Sequence, residues 1–374
     1  MNKLFDKVYG CLAASQVGSA MGGPVENMTY EDIKAQFGRV DRMLPYPEGD
    51  SLKHNSGFPP GSTEDGIERQ KLMALAIMDK KGPITARDLA YAWLRYVNEE
   101  SFGKVAGAQD EIHYRLLKAG ISPEDSGYYD AHYGRMGFNR ACHPIGIVNA
   151  CFPELAARNA LDVARIYQPP SGRGIPWKEN YQKIIPAYTI GIDWAAAVAA
   201  AIAAAFEPAA TPDSILAEAT AYIVEAARDE ILRAVELAMG CKDYEELVYE
   251  FNKRYHAVGM PMAQSRAYEI TSKGIALFYY YKGDVKETIL AAVNFGRDTD
   301  CLAAVAAGIA GALSGSAGLP EEWIKTVDEA TKLNPYTITQ MSIEEMAKGL
   351  YEALLANHMK MKNSVGSIDD LLRG

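Results

Sequence analysis

The segment that most restricts the fold is a run of small apolar residues at 302–313, which reads LAAVAAGIAGAL. A helix that is apolar on every face must be surrounded by protein, and its Ala and Gly positions let neighbouring helices approach closely. Residues 190–206 form a second run of this kind, in which Asp193 stands among Ala residues. These two segments predict a fold built around buried helices.

The rest of the chain favours the same fold class. No segment shows the alternation of a half-buried strand, and no repeat of fixed period is present. We therefore predict an all-α protein, a single domain over residues 1–374. The helices predicted from the sequence lie at about 3–21, 64–80, 85–98, 153–166, 190–206, 212–239, from 243 onward, 264–281, 285–294 and from 298 onward, with two more after 320 and 342.

Charge and cysteine content exclude several classes of function. The formal net charge is −10 and no run of basic residues occurs, so we expect no nucleic-acid partner. The five cysteines are scattered without a CxxC pair, which indicates reduced thiols and a cytoplasmic protein. The apolar stretch at 187–206 carries Asp193 and is mostly Ala, so we expect a buried helix and no membrane span. The oligomeric state stays open.

An acidic turn precedes the small-residue helix. Asp298 and Asp300 stand two positions apart with Thr299 between them, after a turn that contains Gly296. Carboxylate and hydroxyl oxygens held rigidly are the ligands that a hard cation such as Mg²⁺ requires. An Asp at a helix start is also a common N-cap, so a purely structural role is the alternative.

A second acidic turn far away in sequence favours the cation site. Thr63, Glu64 and Asp65 follow a Pro- and Gly-rich loop and open a predicted helix, again placing a hydroxyl and two acids together. The two turns could share one metal cluster.

Two further stretches supply candidates for catalysis and substrate binding. Glu26 follows the tight turn at 22–24 that ends the first predicted helix. The aromatic, Gly-rich stretch at 128–146 could contact a purine or a sugar, and simple packing between helices is the alternative. The candidate substrate contacts there are Tyr133, Asn139, Arg140 and His143, with Arg297 added from the last acidic turn.

In this order, the motifs resemble those of the ADP-ribosylglycohydrolase family. That family shows Gly-Asp-Ala-Leu-Gly-x-Pro-x-Glu, then Thr-Asp-Asp-Thr, a central Met-Arg-x-x-Pro-Leu-Gly, and late in the chain Gly-Gly-Asp-Thr-Asp-Thr before a small-residue helix. The similar stretches of this chain are GSAMGGPVE at 18–26, TEDG at 63–66, NRACHPIG at 139–146 and GRDTDC at 296–301. The likeness covers about residues 5–325, and the last motif is the most specific.

The resemblance implies an all-α orthogonal bundle that binds two Mg²⁺ or Mn²⁺ ions and cleaves the bond at the anomeric carbon of a ribose. Its substrate would be an ADP-ribosyl group on a protein or a small molecule. By position, the resemblance places the ligands at Thr63, Glu64, Asp65, Asp298 and Asp300. Glu26 would match the glutamate that approaches the metals and the attacked carbon, and Glu26 or Asp300 would orient the attacking water.

Several positions depart from the family pattern. Glu64 stands for Asp, Gly66 and Cys301 stand for Thr, Ser19 replaces an acid and Arg297 replaces a Gly. A thiol is a poor ligand for hard Mg²⁺, so Cys301 would weaken one of the two metal sites. The departures keep two alternatives open: hydrolysis of another N- or O-riboside, and binding of ADP-ribose or a nucleotide without cleavage.

Overall fold

The computed structural model describes residues 2–48, 56–130, 134–135, 137–168, 192–256 and 265–373. The described part of the chain contains 17 α-helices and no β-strand, which confirms the all-α prediction. The helices are α1 (Lys3–Gly22), α2 (Tyr30–Phe37), α3 (Asp65–Lys80), α4 (Ala86–Tyr96), α5 (Ala108–Lys118), α6 (Pro123–Ser126), α7 (His143–Val148), α8 (Pro153–Val163), α9 (Ile192–Ala205), α10 (Pro212–Ala221), α11 (Glu225–Gly240), α12 (Tyr244–Arg254), α13 (Ala267–Tyr280), α14 (Val285–Val293), α15 (Thr299–Ser314), α16 (Glu321–Leu333) and α17 (Ile343–Arg373). Short 3₁₀ helices lie at Gly23–Val25, Glu99–Ser101, Gly127–Tyr129, Asn139–Ala141 and Ala164–Ile166.

Several helix starts follow from local capping chemistry. The Asn2 side chain accepts a hydrogen bond from the Phe5 amide at the start of α1. Thr85 and Asp88 form a capping box at the start of α4. The helix predicted at 212–239 is wrong in one respect, because it is divided into α10 and α11 by a break at 222–224. Helices α2, α5, α6 and α7 were not predicted from the sequence.

Helices α1 and α15 pack along their length at the centre of the fold, and α9, α13 and α14 also contact α15. The contact is close enough to exclude side chains at some positions. A Cβ atom added to Gly311 would lie 2.2 Å from the Gly10 carbonyl oxygen, well inside van der Waals contact. The glycines therefore allow the two backbones to touch, and this places the C-terminal end of α1 beside the N-terminal end of α15.

Helix α9 is the second buried helix that the sequence predicts. Every residue from Ile192 to Ala205 is buried. The predicted helix start at 190 lies outside the described residues. Across the described ranges, none of the helices combines the length and the apolar character that crossing a membrane requires.

Candidate active site

The C-terminal end of α1 and the N-terminal end of α15 form the floor of the site. A Cβ atom added to Gly22 would lie 2.6 Å from the Asp300 Cα, so only glycine permits this approach. The Thr299 hydroxyl donates a 2.8 Å hydrogen bond to the Gly22 carbonyl oxygen. The chain then continues through the Gly23–Val25 3₁₀ helix, which brings half-buried Glu26 to the same place.

The other acidic turn opens α3 beside this floor. Glu64 is the N-cap residue of α3 and Asp65 is its first residue. Thr63 and Glu64 are each only 5% exposed, so this turn is buried although it is a loop-to-helix junction. A Cβ atom added to Gly23 would lie 2.9 Å from a Glu64 carboxylate oxygen, which shows how closely the α1 end and the α3 start approach.

A pocket opens where the two turns meet. Its walls within the described residues are almost entirely polar or charged, with four carboxylates and three guanidinium groups. The lining residues are Glu26, Glu64, Asp65, Arg69, Gln109, Arg135, Gly137, Arg140, Ser265, Asp300 and Cys301. The predicted residues Glu26, Glu64, Asp65, Arg140 and Asp300 are thus brought together, while Thr63 and Asp298 are buried next to lining residues.

Arg140 connects the two acidic turns. Its Nη1 donates to Asp300 Oδ2 at 2.7 Å and lies 2.6 Å from Cys301 Sγ, while its Nη2 donates to Asp65 Oδ1. One guanidinium group therefore binds carboxylates from both turns. Asp65 and Asp300, which lie 235 positions apart in the chain, are thus bridged by the side chain of Arg140.

The innermost carboxylate oxygens have no such partner. Both oxygens of Asp298 and Oδ1 of Asp300 are buried without a hydrogen bond in the described part of the chain, and the two residues are 0% and 2% exposed. Burying an ionised carboxylate without a partner is costly. Ligand atoms of Asp298, Asp300 and Cys301 all lie within 4.8 Å of one another, so these oxygens fit one cation.

The electrostatics of Asp300 follow from this environment. Burial, and then the charge of Asp298, raise the pKa of Asp300 well above its ordinary value, and the Arg140 guanidinium opposes that shift. Glu26 and Glu64 add smaller shifts in the same upward direction. Burial also raises the pKa of the Cys301 thiol well above its ordinary value, so Cys301 is neutral at pH 7 in this environment.

A second buried network holds Asp65 from the other side. Arg69 donates to Asp65 Oδ2 at 2.8 Å, to both carboxylate oxygens of Asp110 at 2.6 and 2.8 Å, and to the Gly137 carbonyl oxygen at 2.9 Å. Asp110 also accepts the Gly107 amide at the start of α5. Sequence reasoning missed Arg69 and Asp110; the i, i+4 spacing of Asp65 and Arg69 on α3 was the available signal.

Arg297 and Asn139 bind protein groups outside the pocket lining. Arg297 forms a two-pronged ion pair with the fully buried Glu269, at 2.7 and 3.0 Å, and Glu269 also accepts from Lys273. Asn139 is fully buried and donates to the Thr271 hydroxyl at 3.0 Å. Both side chains, which we predicted as substrate contacts, fix the helices around the pocket.

His143 is another predicted substrate contact, and it lies behind Arg140 in the packed core. Its ring is 0% exposed and Nε2 is 3.0 Å from the Ala304 carbonyl oxygen. Burial lowers the pKa of His143 to about 4, so the ring is neutral at pH 7. Tyr133, also predicted to contact substrate, lies outside the described residues.

Arg135 is the one guanidinium of the described lining that has no acceptor in the described part of the chain. It lines the pocket and is half-buried, and its backbone forms an isolated bridge with Arg266. Burial lowers the pKa of Arg135, the charges of Arg69 and Arg140 act in the same direction, and the charges of Asp65 and Asp298 oppose them. Pairing with an anion would relieve both effects, so this position suits a negatively charged group of a ligand.

Fold and site together define a class: an all-α protein with a buried carboxylate centre at the head of a small-residue helix. The ADP-ribosylglycohydrolase family model matches residues 1–177 and 180–358. The chain belongs to the ADP-ribosylglycohydrolase family.

Two relatives match the chain over nearly their whole length. The chain is 24% identical over 357 residues to an uncharacterized protein of Archaeoglobus fulgidus, covering 93% of this chain and 96% of that protein. It is also 24% identical over 360 residues to the uncharacterized protein YegU of Escherichia coli, covering 92% and 96%. A solved structure of an ADP-ribosylglycohydrolase-related protein complex superimposes with a TM-score of 0.60 at 17% identity, covering 95% of this chain and 100% of that one. At that identity the superposition shows a shared fold.

Proposed function

We propose that the chain is a cation-dependent glycoside hydrolase that cleaves the bond at the anomeric carbon of a ribosyl group. The observation that carries the proposal is the set of three buried carboxylate oxygens of Asp298 and Asp300 that have no partner in the described residues, at the floor of the pocket. Family membership supports hydrolase chemistry at this place. Mg²⁺ and Mn²⁺ both fit oxygen ligands of this kind.

The residues would share the work as follows. Asp298 and Asp300 Oδ1 would hold the cation, which would supply a lower pKa for the attacking water and a contact for ribose hydroxyls. Glu26 lies on the pocket wall and would take a proton from the attacking water. The oxygen of that water would form the new bond to the anomeric carbon. The leaving group departs with the electron pair of the broken bond and takes a proton from solvent.

Acids of the pocket wall would also stabilise the transition state. Cleavage at a ribosyl carbon passes through an oxocarbenium-like state that carries positive charge. Glu26 and Glu64 face the pocket, where their negative charge would favour that state in a partly water-excluded place. Arg135 would bind a phosphate of the substrate, since its guanidinium meets no acceptor in the described residues.

The first candidate substrate is an ADP-ribosyl group on a protein or small molecule, which follows from the family. A second candidate, a smaller phosphorylated riboside, is favoured by one observation. The described lining of the pocket contains no aromatic side chain on which an adenine could stack. Arg135 supplies a phosphate contact in either case.

The test is hydrolysis of a panel containing an ADP-ribosylated protein, a small ADP-ribosyl conjugate, and nucleosides with and without a 5′-phosphate, each with Mg²⁺ or Mn²⁺. Chromatography of the released sugar product measures turnover. We expect Asp300→Asn to lose more than about 100-fold in kcat, because loss of an outer contact alone costs 10- to 100-fold in metal sites. Asp193→Asn, at the head of the other buried helix, is the matched control and keeps wild-type turnover.

Failure to cleave any member of the panel with either ion would contradict the proposal, as would full activity of Asp300→Asn. The panel members themselves separate the two substrate candidates, and Arg135→Ala tests the phosphate contact in the same assay. We expect a KM raised about tenfold for every phosphorylated substrate, the size of one charge-assisted contact, and an unchanged KM for an unphosphorylated nucleoside.

A further inference from the structure

The three carboxylates around Arg140 differ in how their oxygens are bound. Asp65 has both oxygens bound by arginines: Oδ1 accepts from Arg140 and Oδ2 accepts from Arg69 at 2.8 Å. Asp298 has neither oxygen bound in the described part of the chain. Asp300 lies between the two, with Oδ2 bound to Arg140 and Oδ1 without a partner.

We propose that the Arg140 guanidinium takes the position of a second metal ion between Asp65 and Asp300, so that the chain binds one divalent cation, at Asp298 and Asp300. The inference rests on the proposed function in so far as that function requires a cation. It departs from the two-ion centre that the family resemblance implies. Arg140 brings one positive charge to the carboxylates of both turns, which is what an ion shared by the turns would do.

The sequence around Arg140 makes room for it. A Cβ atom added to Gly66 would lie 2.2 Å from Arg140 Nε and 2.4 Å from its Cδ. Any side chain at position 66 would therefore displace the guanidinium from its place over the start of α3. Where the family pattern has a hydroxyl residue, this chain has only a hydrogen atom, and an arginine similar to that of the family's central motif fills the space.

The residue after Asp300 also departs from the family pattern at a contact with Arg140. Cys301 Sγ lies 2.6 Å from Arg140 Nη1 and is 3% exposed. A thiol is a soft ligand that suits a hard Mg²⁺ ion poorly, whereas it tolerates a neighbouring N–H donor. Gly66 and Cys301 thus depart from the family pattern on two sides of one side chain, and both contacts involve Arg140.

A second cation at Asp65 would also meet two arginines. The guanidinium groups of Arg69 and Arg140 bind opposite oxygens of that carboxylate, and each carries a fixed positive charge. A divalent ion there would have to displace a paired arginine and would then be repelled by both. Asp298 has no such neighbour within hydrogen-bonding distance in the described residues, which leaves its oxygens for the single ion.

The experiment counts ions without requiring turnover. The full-length protein is stripped of metal with a chelator and titrated with Mn²⁺, free Mn²⁺ is measured by electron paramagnetic resonance, and the spectrum of the bound ion is recorded. We expect one Mn²⁺ per chain with the signal of an isolated ion. Two ions per chain with an exchange-coupled signal would overturn the inference, and so would no binding at all.

A designed variant tests the role of Arg140 directly. The combination Gly66→Thr, Arg140→Ala and Cys301→Thr removes the guanidinium and restores hydroxyl ligands, so we expect two Mn²⁺ per chain and a coupled signal. Arg135→Ala removes a different arginine of the same pocket and should still bind one ion. If the triple variant, folded by circular dichroism, still binds one ion, Arg140 does not occupy a cation position and the inference is overturned.

The outcome is separate from that of the proposed function. One bound Mn²⁺ in a protein that cleaves no riboside supports the inference and contradicts the hydrolase proposal. Two coupled ions in a protein that hydrolyses ribosides does the reverse. If the triple variant fails to fold, the wild-type ion count decides the inference alone.

Discussion

Helices α9 and α15 have nearly the same sequence character and different roles. Both are buried along their length, both are rich in Ala, and both carry an Asp as their second residue, Asp193 and Asp300. At α9 the Asp193 carboxylate accepts one 3.4 Å hydrogen bond, from the Val224 amide at the break between α10 and α11. At α15 the Asp lies beside a second acid, an arginine and the start of α3. A buried Asp in a helix of small residues therefore has only a structural role unless other segments place charged groups beside it.

Removing a carboxylate at the start of α15 is expected to have the largest effect, on ion binding and on hydrolysis. Asp298→Asn should abolish Mn²⁺ binding and reduce hydrolysis by more than about 100-fold, since it removes the carboxylate that has both oxygens available. The metal-free variant should also melt at a higher temperature than the metal-free wild type, because an uncompensated buried charge is gone. Differential scanning fluorimetry with and without Mn²⁺ measures the melting temperature and its shift on ion binding, and the hydrolysis assay measures turnover.

Only the wild type should gain thermal stability from added Mn²⁺, because an ion that binds the folded state alone stabilises it. Equal gains in Asp298→Asn and wild type would show that the ion binds elsewhere, and α15 would then resemble α9 more closely than we infer.

The second prediction concerns the glycines, which α15 has and α9 lacks. Gly311→Ala places a methyl group 2.2 Å from the Gly10 carbonyl oxygen, a backbone atom that cannot rotate away. We expect a loss of about 3 kcal/mol in the free energy of unfolding, the upper end for overpacking a core. Urea denaturation followed by circular dichroism measures it.

Gly366→Ala is the control, because a Cβ atom there meets nothing within 4 Å and the residue lies inside α17. It should gain about 0.5–1 kcal/mol from helix propensity alone. A Gly311→Ala variant as stable as the wild type would mean that α1 and α15 do not touch through their backbones.

The smallest effect is expected at the head of α9. Burial raises the pKa of Asp193 from 3.8 to about 6. The folded state therefore keeps the proton longer than the unfolded state, and stability is lost as the pH rises from about 4 through about 6. Asp193→Asn removes this penalty and should stabilise the protein by about 2–3 kcal/mol at pH 8, with no gain at pH 3.5.

Urea titrations of the wild type and Asp193→Asn across pH 3.5–8 give the difference directly. A difference that does not change with pH would show that Asp193 titrates normally. Such a result would remove the contrast between a merely buried acid at α9 and a functional pair at α15.

The sequence predicts the fold well because the strongest signals are local. The all-apolar runs of α9 and α15 and the capping residue Thr85 depend on neighbours in the chain, and the helices lie where these signals place them. The break between α10 and α11 was missed because residues 222–224 contain no Gly or Pro. Helix α5 was missed because its surrounding segment is rich in Gly and aromatic residues.

The candidate site was only partly predictable, for a physical reason. Acidic turns can be recognised from local composition, so the sequence predicts Glu64, Asp65, Asp298 and Asp300 as a group. Their partners come from distant segments, and no local pattern shows that Arg140 would lie over Gly66. Asn139 and His143 lie in the same segment as Arg140, yet their side chains are buried and bind groups of the core.

The hydrogen bond from the Thr299 hydroxyl to the Gly22 carbonyl gives the middle residue of the Asp-Thr-Asp sequence a task of its own. The last carbonyl groups of a helix need donors, and this hydroxyl supplies one to α1. The triplet therefore couples the geometry of the proposed ion-binding turn to the termination of a helix nearly 280 positions earlier in the chain. Valine, which has the same shape as threonine, would leave that carbonyl without its donor and loosen the turn without touching either acid.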